Sequence, residues 1–390
     1  MSRSRPKFSS SRAEHIKPFY VMDLLARARQ LEAEGRSVIH LEVGEPDMPT
    51  ATPIIDAGIR ALEAEQTHYT SAVGLTALRE AISRYYAQRY AIDVSPGRIV
   101  ITPGASGGLQ LVLAALLDAG DEVLLSDPGY PCNRNIAEIL GITPRAVPVD
   151  ASTAYQLHAD MIAEHWRAKT RVAMVASPSN PTGSVISRAQ LSGLYDAISE
   201  RGGTLIVDEI YQGIHYGAED ETALSLADDI IVVNSFSKYF GMTGWRLGWL
   251  VLPERLVECV DRMAQNLFLA APTMSQHAAL AAFSDECRSI FDERVEEFRQ
   301  RHDYLSRALR EIGFVIAHPP EGAFYLYADC SSITTDSFSW VQTLLEAEGV
   351  AVTPGIDFGE HRAHEHVRFA YTRPVDQLEI AVERIIRHLN

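Results

Sequence analysis

Asn234-Ser235-Phe236-Ser237-Lys238-Tyr239-Phe240-Gly241-Met242-Thr243-Gly244-Trp245-Arg246-Leu247-Gly248 is the stretch on which the reading of this chain turns. The apolar run Ile230 to Val233 leads into it and predicts a buried parallel strand whose polar residues emerge at its carboxyl end. Open α/β sheets hold their ligands at that end. Two serine hydroxyls, an amine, three glycines and a guanidinium follow one another here, and a second apolar strand, Leu247 to Leu252, starts before they finish. A lysine amine on a pocket floor, between hydroxyls and a fixed cation, loses solvation. Its pKa falls, the condition for Schiff-base chemistry. A lone Ser-x-x-Lys would read as a solvated loop. Arg246, set between Gly244 and Gly248, instead suits a loop that holds a phosphate.

With 390 residues and 46% hydrophobic content the chain can bury a large core, which predicts one large and one small domain. Its 35 basic against 51 acidic residues leave a formal charge of −16, which argues against nucleic acid or an anionic membrane as the main partner. Any anion must then be held locally. Cys132, Cys259, Cys287 and Cys330 are scattered without a Cys-x-x-Cys pair, so neither a zinc site nor a disulfide framework is expected. Met1 to Arg12 is basic and serine-rich without the apolar core of a secretory signal, and no run reaches membrane-span length. The expectation is a cytoplasmic protein with a mobile amino-terminal arm.

Outward from the lysine, further chemistry sits at the ends of predicted strands. Tyr20 to Glu34 has helical spacing, and Val38 to Val43 reads as a strand ending in Gly44-Glu45-Pro46-Asp47, either a site-facing turn or a plain Gly-Pro turn. Tyr69 precedes an amphipathic helix through Leu78, Ile82 and Tyr85, where a tyrosine ordinarily just packs. Arg98 to Thr102 is a strand, and Pro103-Gly104-Ala105-Ser106-Gly107-Gly108 turns it into a helix beginning near Leu109. Small residues ahead of a helix N-terminus make a phosphate cradle or simply a glycine-rich turn. Glu122 to Ser126 ends at Asp127-Pro128-Gly129-Tyr130, a ring that lies against a heteroaromatic or on the surface. Arg171 to Ala176 ends in a turn by composition, Ser179-Asn180-Pro181-Thr182-Gly183.

Thr204 to Val207 closes on Asp208-Glu209-Ile210-Tyr211. A carboxylate ending an apolar strand is costly to bury without a cation. Asp208 is thus a candidate partner for a protonated ring nitrogen, with a metal ligand or helix cap as the plainer alternatives. Helices are expected from Pro253 to Ala264, from Met274 with Thr273 as cap, and from Asp285 to Ile312. Gly322 to Tyr327, a helix near Phe338 to Glu348, and His366 to Tyr371 outline an α+β domain, with Arg368 in a strand of alternating character, either a solvent-facing cation or a site residue. His361, His364 and His366 lack the spacing of a helical metal pair, so a loop is favoured over a metal site.

In this order the pieces resemble the class I aminotransferases that depend on pyridoxal 5′-phosphate, the aspartate aminotransferase-like branch of fold type I, and the resemblance covers most of the chain. It implies an α/β fold: a large domain over residues 45–290 with a mostly parallel seven-stranded sheet between helices, and a smaller α+β domain over 291–390 joined by the arm and helix of 1–44. It implies transfer of an amino group between a 2-amino acid and a 2-oxo acid through pyridoxamine phosphate. Lys238 would carry the cofactor and move the substrate Cα proton, Asp208 would face the pyridine nitrogen, and Asn180 and Tyr211 would donate to O3′. Tyr130 would stack on the ring. Ala105, Ser106, Ser235, Ser237 and Arg246 would hold the phosphate, together with Tyr69 from a neighbouring subunit, which implies a homodimer with shared sites. Gly44, through its backbone, Asn180 and Arg368 would meet the substrate, Arg368 gripping the α-carboxylate as a planar fork.

Dicarboxylate-specific members add an arginine beyond the lysine loop. Phe268-Leu269-Ala270-Ala271-Pro272-Thr273-Met274-Ser275 has no cation. That favours alanine or valine over aspartate, with pyruvate or 2-oxoglutarate as partner. Asn-Ser-Phe-Ser-Lys-Tyr and Met-Thr-Gly-Trp-Arg-Leu-Gly-Trp are similar to actinobacterial members linked to valine and pyruvate. The basic arm, Arg3, Arg5, Lys7, Arg12 and Lys17, is an alternative source of charge for a dicarboxylate. A lyase acting at Cβ or Cγ would use the same residues, and ammonia release without an acceptor would reveal it. A non-enzymatic cofactor-binding regulator would need a basic helix-turn-helix domain ahead of the fold.

Overall fold

The computed structural model describes residues 9–217 and 220–390, and twelve strands form among them. They are β1 Ile39–His40, β2 Ile99–Thr102, β3 Glu122–Asp127, β4 Thr143–Pro148, β5 Thr170–Ala176, β6 Thr204–Asp208, β7 Ile231–Ser235, β8 Gly248–Val251, β9 Tyr325–Asp329, β10 Val350–Ala351, β11 Thr353–Pro354 and β12 His366–Ala370. Seven make one sheet in the order β2-β8-β7-β6-β5-β3-β4. From β4 through β3, β5 and β6 to β7 all pairs are parallel, whereas β8 is antiparallel to both β7 and β2. Six strands therefore point one way and open their carboxyl ends at one edge.

The sheet is apolar on both faces because helices cover both. Alternate residues feed opposite layers: Leu124, Ala173, Leu205, Val232 and Trp249 enter one apolar cluster, and Val123, Val172, Ile206, Ile231 and Leu250 the other. The sequence reading has no counterpart of β4. That strand carries Pro144 and Pro148, tolerated because it is an edge strand paired only with β3.

Two segments far apart in sequence meet. β1 pairs in parallel with β10, and β11-β12-β9 form an antiparallel sheet. The helix Tyr20–Ala33 buries Val21, Leu24, Ala28 and Leu31 and packs on β10 and β11.

Several local expectations are corrected. The strand expected over Val38 to Val43 has only two paired residues, because past His40 the backbone serves other partners: Leu41 O accepts from Ala370 N–H (2.8 Å), and the Glu42 carbonyl accepts from Arg368 and Thr353. The helix expected near Leu109 spans Gly104–Leu116, so Ala105 and Ser106 lie in its first turn. Thr273 does not cap the helix Thr273–Ala279; its hydroxyl donates to His68 O at 2.8 Å. Strand β12 does not alternate but is buried at all five positions. Of the arm expected over Met1 to Arg12, residues 1–8 lie outside the described residues, and Arg12 lies in a short helix, Ser11–His15, and donates to Ile139 O at 2.8 Å. Arg3, Arg5 and Lys7 lie outside the described residues. Among the described residues no helix is long and apolar enough to cross a membrane.

Candidate active site

Strand β7 ends at Ser235, in register with Gly248 of β8, and the loop between them is tied to itself. Met242 N–H donates to Phe236 O (3.0 Å) and Gly241 N–H to Lys238 O (3.1 Å). Thr243 Oγ1 donates to Ser237 O (3.1 Å), and Trp245 Nε1 to Thr50 Oγ1 (3.0 Å), whose hydroxyl in turn reaches Gly241 O (2.8 Å). Lys238 and Arg246 are thus carried on fixed backbone. Lys238 is half-buried, and its Nζ donates to Gly44 O at 2.6 Å. Burial pushes this amine down to about 8, against the pull of Glu45 and with help from Arg368 and Arg246. A neutral, nucleophilic amine is then accessible near neutrality. Gly44 owes its identity to crowding: a Cβ there would lie 1.8 Å from the Tyr325 hydroxyl.

Asp208 ends β6, beside Ala176 of β5 and Val233 of β7. Its buried carboxyl accepts from Ile210 N–H (3.1 Å), and among the described residues no cation pairs with it. Burial raises it to about 7, with Lys238 opposing. The cis-linked turn after β5 presents Asn180, whose Oδ1 accepts from Arg368 Nη1 at 2.9 Å. That bond leaves the amide's Nδ2 as the free donor. Tyr211, just past β6, has its hydroxyl 2.7 Å from that of Tyr325. Burial lifts both phenols above their ordinary value, Tyr211 far above it, so both remain protonated donors. Tyr130 stands half-buried at the head of the helix Pro131–Leu140, after β3, with Phe19 edge-on at 6.4 Å.

The helix Gly104–Leu116 points its N-terminus at Arg246. Gly104 has φ +71°, and a Cβ on it would lie 2.5 Å from Arg246 Nη2. A Cβ on Gly248 would lie 2.8 Å from Ala105 N. These two glycines let the guanidinium, the helix start and β8 close around one space. The first-turn N–H groups, including those of Ala105 and Ser106, have no acceptor within the helix. Arg246 adopts φ +54°, a left-handed conformation that costs a non-glycine residue about 1–3 kcal/mol. It donates to Thr243 O (3.0 Å) and has no carboxylate partner among the described residues. Ser235 Oγ accepts from Ser237 N–H (3.0 Å), and both serines are buried. Helix dipole, free N–H groups and a free guanidinium together make a cradle for a dianion such as phosphate. Tyr69 is 82% exposed and shares no hydrogen bond with these groups, so the single chain does not bring it into the cluster.

Arg368 lies buried in β12, opposite Tyr327 of β9 and Thr353 of β11. Nη1 donates to Asn180, and Nη2 donates to Thr353 Oγ1 (3.2 Å) and to the Glu42 carbonyl. The guanidinium sits between the rings of Tyr325 and Phe358, 4.4 and 4.8 Å from their centroids. Nε is buried with no partner. A buried cation without a counter-charge is costly. The arrangement asks for a carboxylate.

The structure therefore gathers Lys238, Asp208, Asn180, Tyr211 and Arg246 from the ends of strands and the loops that follow them, and Arg368 from the middle of β12, positions scattered along the sequence. It adds Tyr325, Thr353, Phe358 and the Glu42 carbonyl, which the sequence reading missed. No spacing in the sequence links Tyr325 to Tyr211, 114 positions away. Of the three histidines weighed for a metal, His366 stacks on Tyr327 at 4.6 Å. Among the described residues no His, Cys, Asp or Glu cluster is arranged to hold a metal.

The family model for aminotransferase class I and II matches residues 36–385. The chain is 39% identical over 372 residues to a valine–pyruvate aminotransferase of Mycobacterium tuberculosis, covering 95% of this chain and 96% of that protein. It is 37% identical over 384 residues to a (5-formylfuran-3-yl)methyl phosphate transaminase of Methanocaldococcus jannaschii, covering 98% and 99%. A crystal structure of an aminotransferase from Mycobacterium tuberculosis superposes with a TM-score of 0.94 at 38% identity, over 97% of this chain and 98% of that one. Matched almost end to end in sequence and in fold, the chain belongs to the class I and II aminotransferases and is an enzyme of the aspartate aminotransferase-like fold type I.

Proposed function

We propose that this aminotransferase works with pyridoxal 5′-phosphate and takes the amino group of a neutral 2-amino acid such as alanine or valine, or of aspartate, with pyruvate or 2-oxoglutarate as the acceptor. The observation that carries this reading is the buried Arg368 fork, left with an unpaired Nε near a lysine amine pushed down to about 8.

The residues fit the cofactor. Arg246 and the first turn holding Ala105 and Ser106 suit its phosphate, with Ser235 and Ser237 lining the strand end beside them. Asp208, a buried carboxyl short of a cation, suits a protonated ring nitrogen. Asn180 Nδ2 and the Tyr211 hydroxyl are donors for a ring oxygen, and Tyr130 is an aromatic face for the ring. When bound, the group supplies an aldehyde that condenses with amines and a cationic ring that draws off the electron pair of a broken Cα–H bond.

This chain's residues do the rest. Arg368 holds the substrate α-carboxylate, with Asn180 fixing the guanidinium and the Gly44 backbone close by. Lys238 Nζ would take the proton from the substrate Cα and hand it on as an acid. Asp208, ionised beside a cation, keeps that cation protonated.

A neutral substrate is supported by the absence of any Lys or Arg from Phe268 to Ser275 and by the likeness to a valine–pyruvate enzyme. Two arm cations are engaged elsewhere, Arg12 on Ile139 O and Lys17 on Glu360 at 2.8 Å. A homodimer is supported by an exposed apolar stripe on the helix Thr52–Glu63, where Ile55, Ile59 and Leu62 are 38%, 49% and 54% exposed, and by Tyr69 standing out nearby in the chain. We keep the division into 45–290 and a smaller domain of 1–44 with 291–390. The β1–β10 pair supports it, and the helix Asp285–Glu311 runs unbroken through the boundary. Four free cysteines fit a reducing cytoplasm.

The test adds single amino acids to the cofactor-loaded protein without an acceptor and follows the cofactor absorbance. Alanine or valine should convert it to the amino form. Conversion by aspartate alone would sink the neutral-substrate reading, conversion by no amino acid would sink the substrate reading as a whole, and a protein that retains no pyridoxal 5′-phosphate on gel filtration would sink the cofactor reading.

A further inference from the structure

Behind the lysine loop lies a solvent-open cleft of about 570 Å³, apart from the site described above, with Arg84, Gln88 and Arg288 at its exposed rim. It lies between the helix Thr76–Tyr90, the turn Leu280–Phe283, the start of the helix Asp285–Glu311, and Tyr239 and Phe240. Its size is that of a small-molecule site. Tyr85, Phe240, Phe283 and Phe291 form its walls, with the first three rings 5.6–5.8 Å apart and Phe291 5.7 Å from Phe240. Three arginines, Arg84, Arg89 and Arg288, line it together with Gln88, and among the described residues no carboxylate does.

The cations are unequally engaged. Arg89 is paired with Asp220, its Nε 2.5 Å from Oδ2, and its guanidinium lies 5.0 Å from the centre of the Tyr239 ring. Arg288 has only a 3.7 Å contact with Asp285, whose side chain is 97% exposed, and a 3.3 Å bond to Gln88. Arg84 has no ion pair or hydrogen bond among the described residues. Asp292, another acid near it, accepts from the Tyr239 hydroxyl at 3.3 Å. In a chain of net charge −16, three cations on an aromatic box form a local exception to the global field. Rings grip an apolar or aromatic body, and guanidinium groups grip a planar anion.

We propose that this cleft is a second binding site, for a small carboxylate with an aromatic body, distinct from the reaction centre and coupled to it. The coupling runs through the chain itself. Tyr239 and Phe240 directly follow Lys238. Phe240 packs on Phe236 (5.1 Å), within the same loop. The Tyr239 ring lies so close to Gly213 that a Cβ there would be 2.6 Å away, two residues past Tyr211. A ligand that shifts these two rings therefore acts on the segment that presents the amine.

The probe is 3-phenylpropanoate, which has the ring and the carboxylate but neither a 2-amino nor a 2-oxo group. It is titrated calorimetrically into the cofactor-loaded protein, the variant Arg368→Lys and the double variant Arg84→Gln/Arg288→Gln, each first checked for an unchanged melting temperature. Saturable binding should persist in Arg368→Lys, weaken at least about tenfold in the double variant, and weaken similarly when the neutral 3-phenylpropanamide replaces the acid. The probe should also alter kcat of the unmodified enzyme but not of the double variant, whose turnover without probe is unchanged. Binding that vanishes in Arg368→Lys and is untouched in the double variant would place the probe in the reaction centre and overturn the proposal. So would equal binding by all three proteins, or no saturable binding to any.

Discussion

Arg368 is held in a geometry that a lysine cannot copy. The guanidinium is held by Asn180, Thr353 and the Glu42 carbonyl and pressed between two rings, with Nε left over. Arg368→Lys keeps the charge and loses the fork, so kcat/KM should fall roughly hundredfold, mostly through KM. An unchanged KM would remove Arg368 from carboxylate binding. Asp208 gives a second prediction. Its folded-state value is raised, from 3.8 to about 7, so the cofactor-free fold takes up a proton that the unfolded chain releases. The stability from this group is complete below the unfolded value and is lost as pH rises through the folded one. The melting temperature of the cofactor-free protein should therefore fall between about pH 4 and pH 7, and Asp208→Asn should flatten that fall. A slope identical in the variant would show that another group carries it. Residue types were legible at both positions, because a strand-ending Asp and a late Arg stand out in sequence. Their burial was not: β12 looked alternating, and nothing in a linear pattern reports that the neighbours of Arg368 come from Asn180, Glu42 and Thr353.

Elements tell the same story with different failures. The central strands were readable because both faces are covered, which makes their sequences unbroken apolar runs. Strand β4 was hidden by two prolines that only an edge tolerates. The helix Gly104–Leu116 was placed but started too late, since glycines and a serine look like loop until a left-handed Gly104 lets the first turn meet Arg246. This element carries its own test. Gly104→Ala puts a Cβ 2.5 Å from Arg246 Nη2 in a backbone conformation, φ +71°, that alanine resists. Cofactor affinity should drop about tenfold or more, and the difference in melting temperature between cofactor-loaded and cofactor-free protein should shrink. An unaltered difference would mean that the helix start and Arg246 do not act as one cradle.

At the scale of the whole molecule, the homodimer proposed above rests on surfaces that the single chain leaves exposed. Ile55, Ile59 and Leu62 form an exposed stripe on one helix, and Tyr69 projects, 82% exposed, without a side-chain hydrogen bond among the described residues. Charges placed there, Ile59→Glu with Leu62→Glu, should convert a dimer to monomers in sedimentation velocity and weaken cofactor retention along with it. Monomers that keep cofactor and turnover would overturn the shared site, and a wild type that already sediments as a monomer would do so at once.

The pairing of Ile39 with Val350 also sets an order of events during synthesis. About 310 residues separate the partners, so a ribosome adding about 5–20 residues per second needs roughly 15–60 s to supply the second after the first. The segment made first is among the last to find its place. Throughout that wait the helix Tyr20–Ala33 carries Leu24, Ala28 and Leu31 with β10 and β11 not yet made, and the nascent chain offers them to whatever holds unfinished proteins.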